Sequence, residues 1–537
     1  MRMRTLGLVI TLASLFGAAA LADDLEPEMS EPAQTTAAID AQVMPLSLDE
    51  AVEFALENNL DVEVQRFAPL ISGEQEREAW GAYDPELFGE FGYADIENPS
   101  TFTLDLIVSV DKSYDGFGGF RGLVPYLGSY YNFQFDGSRT TTNSTIQALS
   151  PELRSSFSLS LAQPLLRGLI WNEPWTRVKT TRVLYDESLE DFRRRVMDTV
   201  QEVEDGYWNL IATGEQKRVA EKSLETARAL LDQTEVQYEV GVVSKVEVVE
   251  SEAGVADRDF NLIVAENRYQ NAQDLLINLI LGTGFTADSR IEIQPTDRPE
   301  DFITYEIDVE RATQRAFERR PELAIVDDEI ERQKLELKFA KNLRLPQLDV
   351  EFRYGNRGIA GDLNASCSFP GCPVTQPDNR TFGDSLEDFL GNSAVEQLSA
   401  RAFFSIPIPN TAARSKVSQG ELSLRRAITN KRRLEQSIIV DVRKAVRDLK
   451  SSQEGIEAAR RASEASAEQL RAERIRLEYG DSTPFDVLQR EEDFVQAESR
   501  EIDALQAYRI SVTGLNRAEG SILKARNIAI DRISSVR

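Results

Sequence analysis

LEDFRRRVMDTVQEVEDGYWNL, Leu189 to Leu210, sets Phe192, Val196, Val200, Val203, Tyr207 and Leu210 in steps of three and four. That is the period of an α-helix with one apolar face. The steps continue through Ala220, Leu224, Ala227, Leu231 and Tyr238, break across Tyr238 to Ser244, and resume at Val249, Ala253, Ala256, Phe260 and Ile263. One very long helix therefore turns and comes back, with Gly241 as the turn residue, because glycine takes the left-handed conformation that ends many helices. A helix of about 60 residues, rising roughly 1.5 Å per residue, is on the order of 90 Å long, well beyond a globular domain. Such a rod needs other helices along its length, and the apolar seam with charged residues between supplies the contact, as in a coiled coil.

The design between Pro174 and Gly282 recurs from Ala413 to Gly520: Leu434, Ile438, Val442, Ala445 and Leu449 in an outgoing arm, Gly480 at the turn, Val487 and Leu488 opening the return. At an offset of 261 residues, 46–93 aligns with 307–354 without a gap, matching Ala51 to Ala312, Ala55 to Ala316, Pro85 to Pro346, Leu87 to Leu348, Phe91 to Phe352 and Tyr93 to Tyr354. The chain is an internal duplication. Its expected divisions are a signal peptide (1–22), a disordered leader (23–45), a first repeat (46–282), a linker (283–304), a second repeat (305–522) and a tail (523–537).

The chain has 537 residues, 28% of them charged, and a net charge of −29. That balance argues against a nucleic-acid partner and suits a solvated, elongated particle or a cation-attracting pore. There is no histidine, which excludes His-based metal sites and His acid–base chemistry. Arg2 and Arg4, the apolar run Leu6 to Leu21 and Ala20-Leu21-Ala22 read as a secretory signal cut before Asp23. No cysteine at that junction offers a lipid anchor, and no later run of about 18 apolar residues offers a spanning helix. The two cysteines, Cys367 and Cys372, favour a local disulfide in an exported protein, with two free thiols as the alternative and a metal site the least supported reading.

Ser47 and Glu50 have capping-box spacing at the start of a helix reaching about Asn58, and a second helix follows from Leu60 to Trp80. The period then changes to two. Leu87, Phe91 and Tyr93 face one way, as do Phe157, Leu159 and Leu161 in a second strand; Leu348, Val350, Phe352 and Tyr354 repeat the pattern, partnered by Leu398, Ala400, Ala402, Phe404 and Ile406. Charged residues fill the other face of the third strand, at Asp349, Glu351 and Arg353. Oily faces of this kind are more often a soluble sandwich core. The export signal, the lack of a spanning helix and the long connections 96–153 and 358–396 favour an outer-membrane barrel with lipid-facing and lumen-facing residues in alternation. Four strands per chain cannot close around a channel, whereas three chains supply twelve. Phe102, Leu104, Leu106, Val108 and Val110, with Tyr131, Phe133 and Phe135, suggest an additional hairpin of unassigned position.

The duplicated helical openings, Gln163-Pro-Leu-Leu-Arg-Gly168 after the second strand and the two tips at Val240-Gly241 and Tyr479-Gly480 together resemble the TolC family of outer-membrane efflux proteins, from Leu46 to about Gly520. The resemblance implies a mainly α fold, with periplasmic coiled-coil helices and a trimeric twelve-stranded barrel in outer-membrane lipid. It also implies a periplasmic adaptor and an inner-membrane transporter as partners, in tripartite efflux or type I secretion, with no cofactor and no catalysis. In that family acidic residues beyond the tip glycine narrow the entrance; here Asp486 matches that position and Glu247 is its counterpart, while Gln489 stands where some members carry a second acid. The plain alternative for Asp486 is a first-turn carboxylate held by the helix dipole.

The reading from another class is a periplasmic coiled-coil adaptor or scaffold whose strands form a small sandwich. An enzyme ranks third, since no nucleophile–base set or phosphate loop occurs, and Gly116-Phe-Gly-Gly-Phe-Arg-Gly122 lacks the strand-to-helix context of a nucleotide loop.

Overall fold

A computed structural model describes residues 43–98, 109–284, 291–298, 308–367, 375, 380–390 and 395–529. The expected signal peptide and nearly all of the leader lie outside these residues, as do Cys372 and the apolar run 102–108. Two helices dominate: α3 (Glu173–Glu239) has 67 residues and α8 (Thr411–Glu478) has 68, each about 100 Å at roughly 1.5 Å per residue. Asn172 starts α3, its side chain accepting from the Trp175 N–H at 2.9 Å with Pro174 in the first turn.

The return arms α4 (Lys245–Leu281) and α9 (Pro484–Ala518) are little more than half as long. The remaining length of each outgoing helix is met by α2 (Leu60–Trp80) and α6 (Pro321–Leu343). Helix α3 packs against α2, α4, α6 and α9, and α8 against α6 and α9, so the helices form one layer two repeats wide. The seam from Phe192 to Leu210 is buried along its whole length, as are Ile438, Val442 and Leu449 on α8.

The return arm differs from expectation. Val249, Phe260 and Ile263 face solvent, Phe260 with 64% of its surface exposed, while Val248, Ser251 and Arg258 point into the layer. Two apolar stripes run along α4, and neighbours within the chain cover only one.

Between the ends of the rods, β1 (Val43–Leu46) pairs in parallel with β6 (Glu292–Pro295). Residues 43–45, expected in the disordered leader, are therefore part of the fold. Leu46 and Ile293 are buried in a core with α1 (Leu48–Asn58), α3, α4 and α10 (Ile522–Ala525), because pairing lets both short strands satisfy their backbone groups as they enter it. The Tyr207 hydroxyl lies 2.7 Å from the Asp297 carboxylate and 2.9 Å from the Leu46 carbonyl, tying strand, linker and rod together. Ser47 and Glu50 form the capping box of α1; Asp308 caps the equivalent α5 (Val309–Arg319).

The sheet runs β2 (Glu86–Asn98), β3 (Ser109–Leu123), β4 (Tyr130–Thr142), β5 (Leu149–Pro164), β7 (Gln347–Leu363), β8 (Val395–Ser405), all neighbours antiparallel. The four expected strands are β2, β5, β7 and β8, and two more are added. The additional hairpin is β3–β4, seated between β2 and β5, and its first arm is the glycine run Gly116 to Gly122. Alternation is unreadable there because glycines occupy both faces. In the connection after β7, α7 (Phe382–Leu390) packs on β5 and β7, with the Ser155 hydroxyl donating to the Ser385 carbonyl at 2.7 Å. Among the described residues no helix is long and apolar enough to cross a membrane.

Candidate functional site

Both hairpin tips are built the same way. Gly241 (φ +80°) and Gly480 (φ +76°) end the outgoing helices, and the next residue's N–H returns to a carbonyl five back: Val242 to Gln237 at 2.8 Å, Asp481 to Arg476 at 2.9 Å. This cap needs a left-handed residue, which is why glycine stands there. Three residues on, Ser244 and Thr483 begin the return helices, and three further on Glu247 and Asp486 close capping boxes. Asp486 accepts from the Thr483 hydroxyl at 2.7 Å and its backbone N–H at 3.3 Å. Those bonds, hydroxyl first, hold its carboxyl below the usual aspartate range. The first-turn role and an exposed, ionised carboxylate at the extreme tip are thus both present.

Behind the tips, Ala227 and Leu230 of α3 meet Leu470 of α8 and Val487 and Leu488 of α9, binding one hairpin to the other. At Gly254 an added Cβ would come within 2.8 Å of Leu488 Cδ1, so α4 and α9 approach closely there. One turn on, buried Arg258 donates to the Leu488 carbonyl at 3.2 Å and pairs with Glu492 at 3.3 Å and Asp257 at 3.1 Å. Glu491 is buried beside them. Burial raises its carboxyl above the usual range, opposed by Arg474, Arg258 and a hydrogen bond from Thr226. Sequence reasoning missed this cluster. Its one signal is a small residue and an arginine four apart on one helix face, at Gly254 and Arg258.

At the far end the sheet has two unlike faces. Register places Leu161 opposite Phe352, Leu159 opposite Tyr354, Leu348 opposite Phe404 and Phe157 beside Phe135, so the expected apolar set, Val350 included, shares one face. Leu87 and Leu398 on that face are each 81% exposed, although large and apolar. Aromatic rings bound it: Tyr93 and Tyr114 at one level, Trp80, Tyr83, Tyr126 and Trp175 where sheet meets helices. The opposite face carries Arg121 with Glu86, Gln134 with Asp136, and Arg353 with Glu351.

The molecule is a two-faced antiparallel sheet on a shaft of paired helices, duplicated except for the hairpin β3–β4, which the first repeat alone contributes to the sheet. The sequence pattern of the family described as outer membrane efflux protein matches residues 122–282 and 312–521, more than half of the chain. The chain belongs to the outer membrane efflux protein family. It is thus an outer-membrane channel protein reaching into the periplasm, not an enzyme, and the adaptor reading is set aside.

In fold this efflux protein is similar to the Campylobacter jejuni CmeC outer membrane channel (14% identity, 88% of this chain and 86% of that one covered, TM-score 0.63). It is also similar to the Neisseria gonorrhoeae MtrE outer membrane channel in its open state (15%, 89% and 89%, 0.60) and to the Vibrio cholerae outer membrane protein VceC (11%, 88% and 96%, 0.60). No curated protein matches the sequence. Among the described residues no three His, Cys, Asp or Glu side chains are grouped to hold a metal. Cys367 is disulfide-bonded.

Proposed function

We propose that three copies of this efflux protein close into one tube, the passive outer-membrane duct of a tripartite export system, with the oily sheet face in lipid. The observation that carries the reading is that the same two sides are left open at every level of the chain. In the sheet, β2 and β8 are the outer strands; in the helical layer, α4 exposes Val249, Phe260 and Ile263 while α8 exposes Leu422 and Val440. A neighbouring copy whose first repeat meets this second repeat covers strand edge and apolar stripe together, and such a head-to-tail interface generates a ring.

The tips then meet near the axis at the periplasmic end. There a periplasmic adaptor, linked to an inner-membrane transporter, engages them, and opening requires the hairpins to slide apart. Three Asp486 carboxylates around the axis concentrate cations and disfavour anions. Planar-bilayer recording of the purified protein tests both claims. Pores with cation preference, weakened by Asp486→Ala, are expected; absence of pores removes the duct, and an unchanged preference removes the ring.

A further inference from the structure

The duct reading carries a consequence set by the hairpin β3–β4, and on that reading we infer that the barrel of this protein has eighteen strands and an outlet about half as wide again as a twelve-stranded one. The hairpin is a full part of the sheet. Pairing runs without a register shift from Glu86 opposite Arg121 to Asn98 opposite Ser109, then from Asp111 opposite Thr142 to Leu123 opposite Tyr130, and β4 continues onto β5 in the same unbroken manner.

The two faces also carry straight through it. Phe120 stacks on Phe133 at 4.8 Å and 11°, Phe133 meets Phe157 at 4.8 Å, and Tyr93 meets Tyr114 at 4.9 Å, so the aromatic surface crosses β2 to β5 on the oily side. On the other side Arg121 pairs with Glu86, and Ser156 donates to Asp136 at 3.3 Å. A hairpin standing clear of the barrel has no use for an oily face continuous with its neighbours. Its glycines have a geometric role as well: at Gly119 an added Cβ would collide with the Phe133 carbonyl. Glycine is used in this way where a strand must coil tightly as a sheet closes.

Six strands from each of three chains set the girth. With strands about 4.8 Å apart and tilted roughly 40°, the backbone radius grows from about 12 Å for twelve strands to about 18 Å for eighteen. The outlet therefore passes cargo of larger cross-section than a twelve-stranded barrel admits, and β3–β4 is the size-determining element at the outer end.

The hairpin enters and leaves at the same end of the sheet, so removing residues 99–142 joins β2 to β5 directly. The test images detergent-purified full-length protein and this deletion variant by single-particle electron microscopy, alongside polymer exclusion from the outer face in bilayers. Trimers with a barrel about one and a half times wider in the full-length protein, admitting polymers that the variant excludes, are the expected result. Full-length trimers of twelve-strand girth, with the hairpin projecting, overturn the inference and leave the duct standing; particles that are not trimers remove both. If the variant fails to assemble, the girth of the full-length barrel decides alone.

Discussion

The Arg258 guanidinium of α4 lies 3.3 Å from the Glu492 carboxylate of α9, an ion pair that spans the first hairpin and the second just above the tips. Arg258 is buried, and it also holds the Leu488 carbonyl and sits near buried Glu491. Removing it leaves carboxylates without their cation inside the layer. Because Glu492 is about a third exposed, the cost falls below that of a fully buried pair, on the order of 1–3 kcal/mol. Arg258→Met is expected to lower the melting temperature and raise single-channel conductance as the hairpins part. A variant with wild-type melting and conductance would deny the pair any part in holding the tips together.

Gly241 and Gly480 have positive φ with open space around them, since an added Cβ meets nothing within 4 Å at either. A substitution there acts through backbone strain alone, roughly 1–2 kcal/mol for alanine in the left-handed region. Gly480→Ala should speed hydrogen exchange of the amides at 478–483 several-fold without moving global melting, while Gly480→Asn, which tolerates that conformation, should do so less. Equal effects of the two substitutions would argue against strain as the cause.

Asp205 of α3 is half-buried, and that burial pushes its carboxyl up to about 6, helped by Glu204 and Glu202 and opposed by a hydrogen bond from Gln201. An acid whose folded pKa is raised binds its proton more tightly when folded, so stability is greatest below the unfolded value near 4. It falls as pH rises toward about 6, then stays flat. Asp205→Asn should therefore stabilise the protein at pH 7, by up to about 3 kcal/mol for a shift of this size, and make little difference at pH 4. Melting curves at the two pH values decide it; an equal effect at both would place the cause elsewhere.

What could be read from residues alone follows from how strongly each pattern is enforced. The seam from Phe192 to Leu210 is buried throughout, so its period survives in the sequence undiluted. Leu348 to Tyr354 alternates cleanly because one side of β7 is oily and the other bears Asp349, Glu351 and Arg353. Strand β3 hides because glycines at 116, 118, 119 and 122 erase the contrast between faces, and the sheet's closeness at Gly119 is a tertiary demand with no periodic trace. At the tips the glycine and capping spacing is legible, but the Arg258 cluster depends on how two hairpins 230 residues apart in sequence come together.

The unlike faces of β5 give the last prediction its control. Leu159 pairs with Phe133 and Tyr354 on the oily face, while its neighbour Ser158 pairs with Gln134 and Gly355 on the polar one. If that oily face lies in lipid, arginine near the bilayer midplane costs about 2–4 kcal/mol, whereas the same charge on the lumen side is solvated. Leu159→Arg should reduce the trimer recovered from outer membranes and lower its heat resistance on gels. Ser158→Arg should assemble normally and shift ion selectivity toward anions. Should both variants assemble alike, or the Ser158 variant be the one that fails, the assignment of lipid and lumen faces would have to be reversed or abandoned.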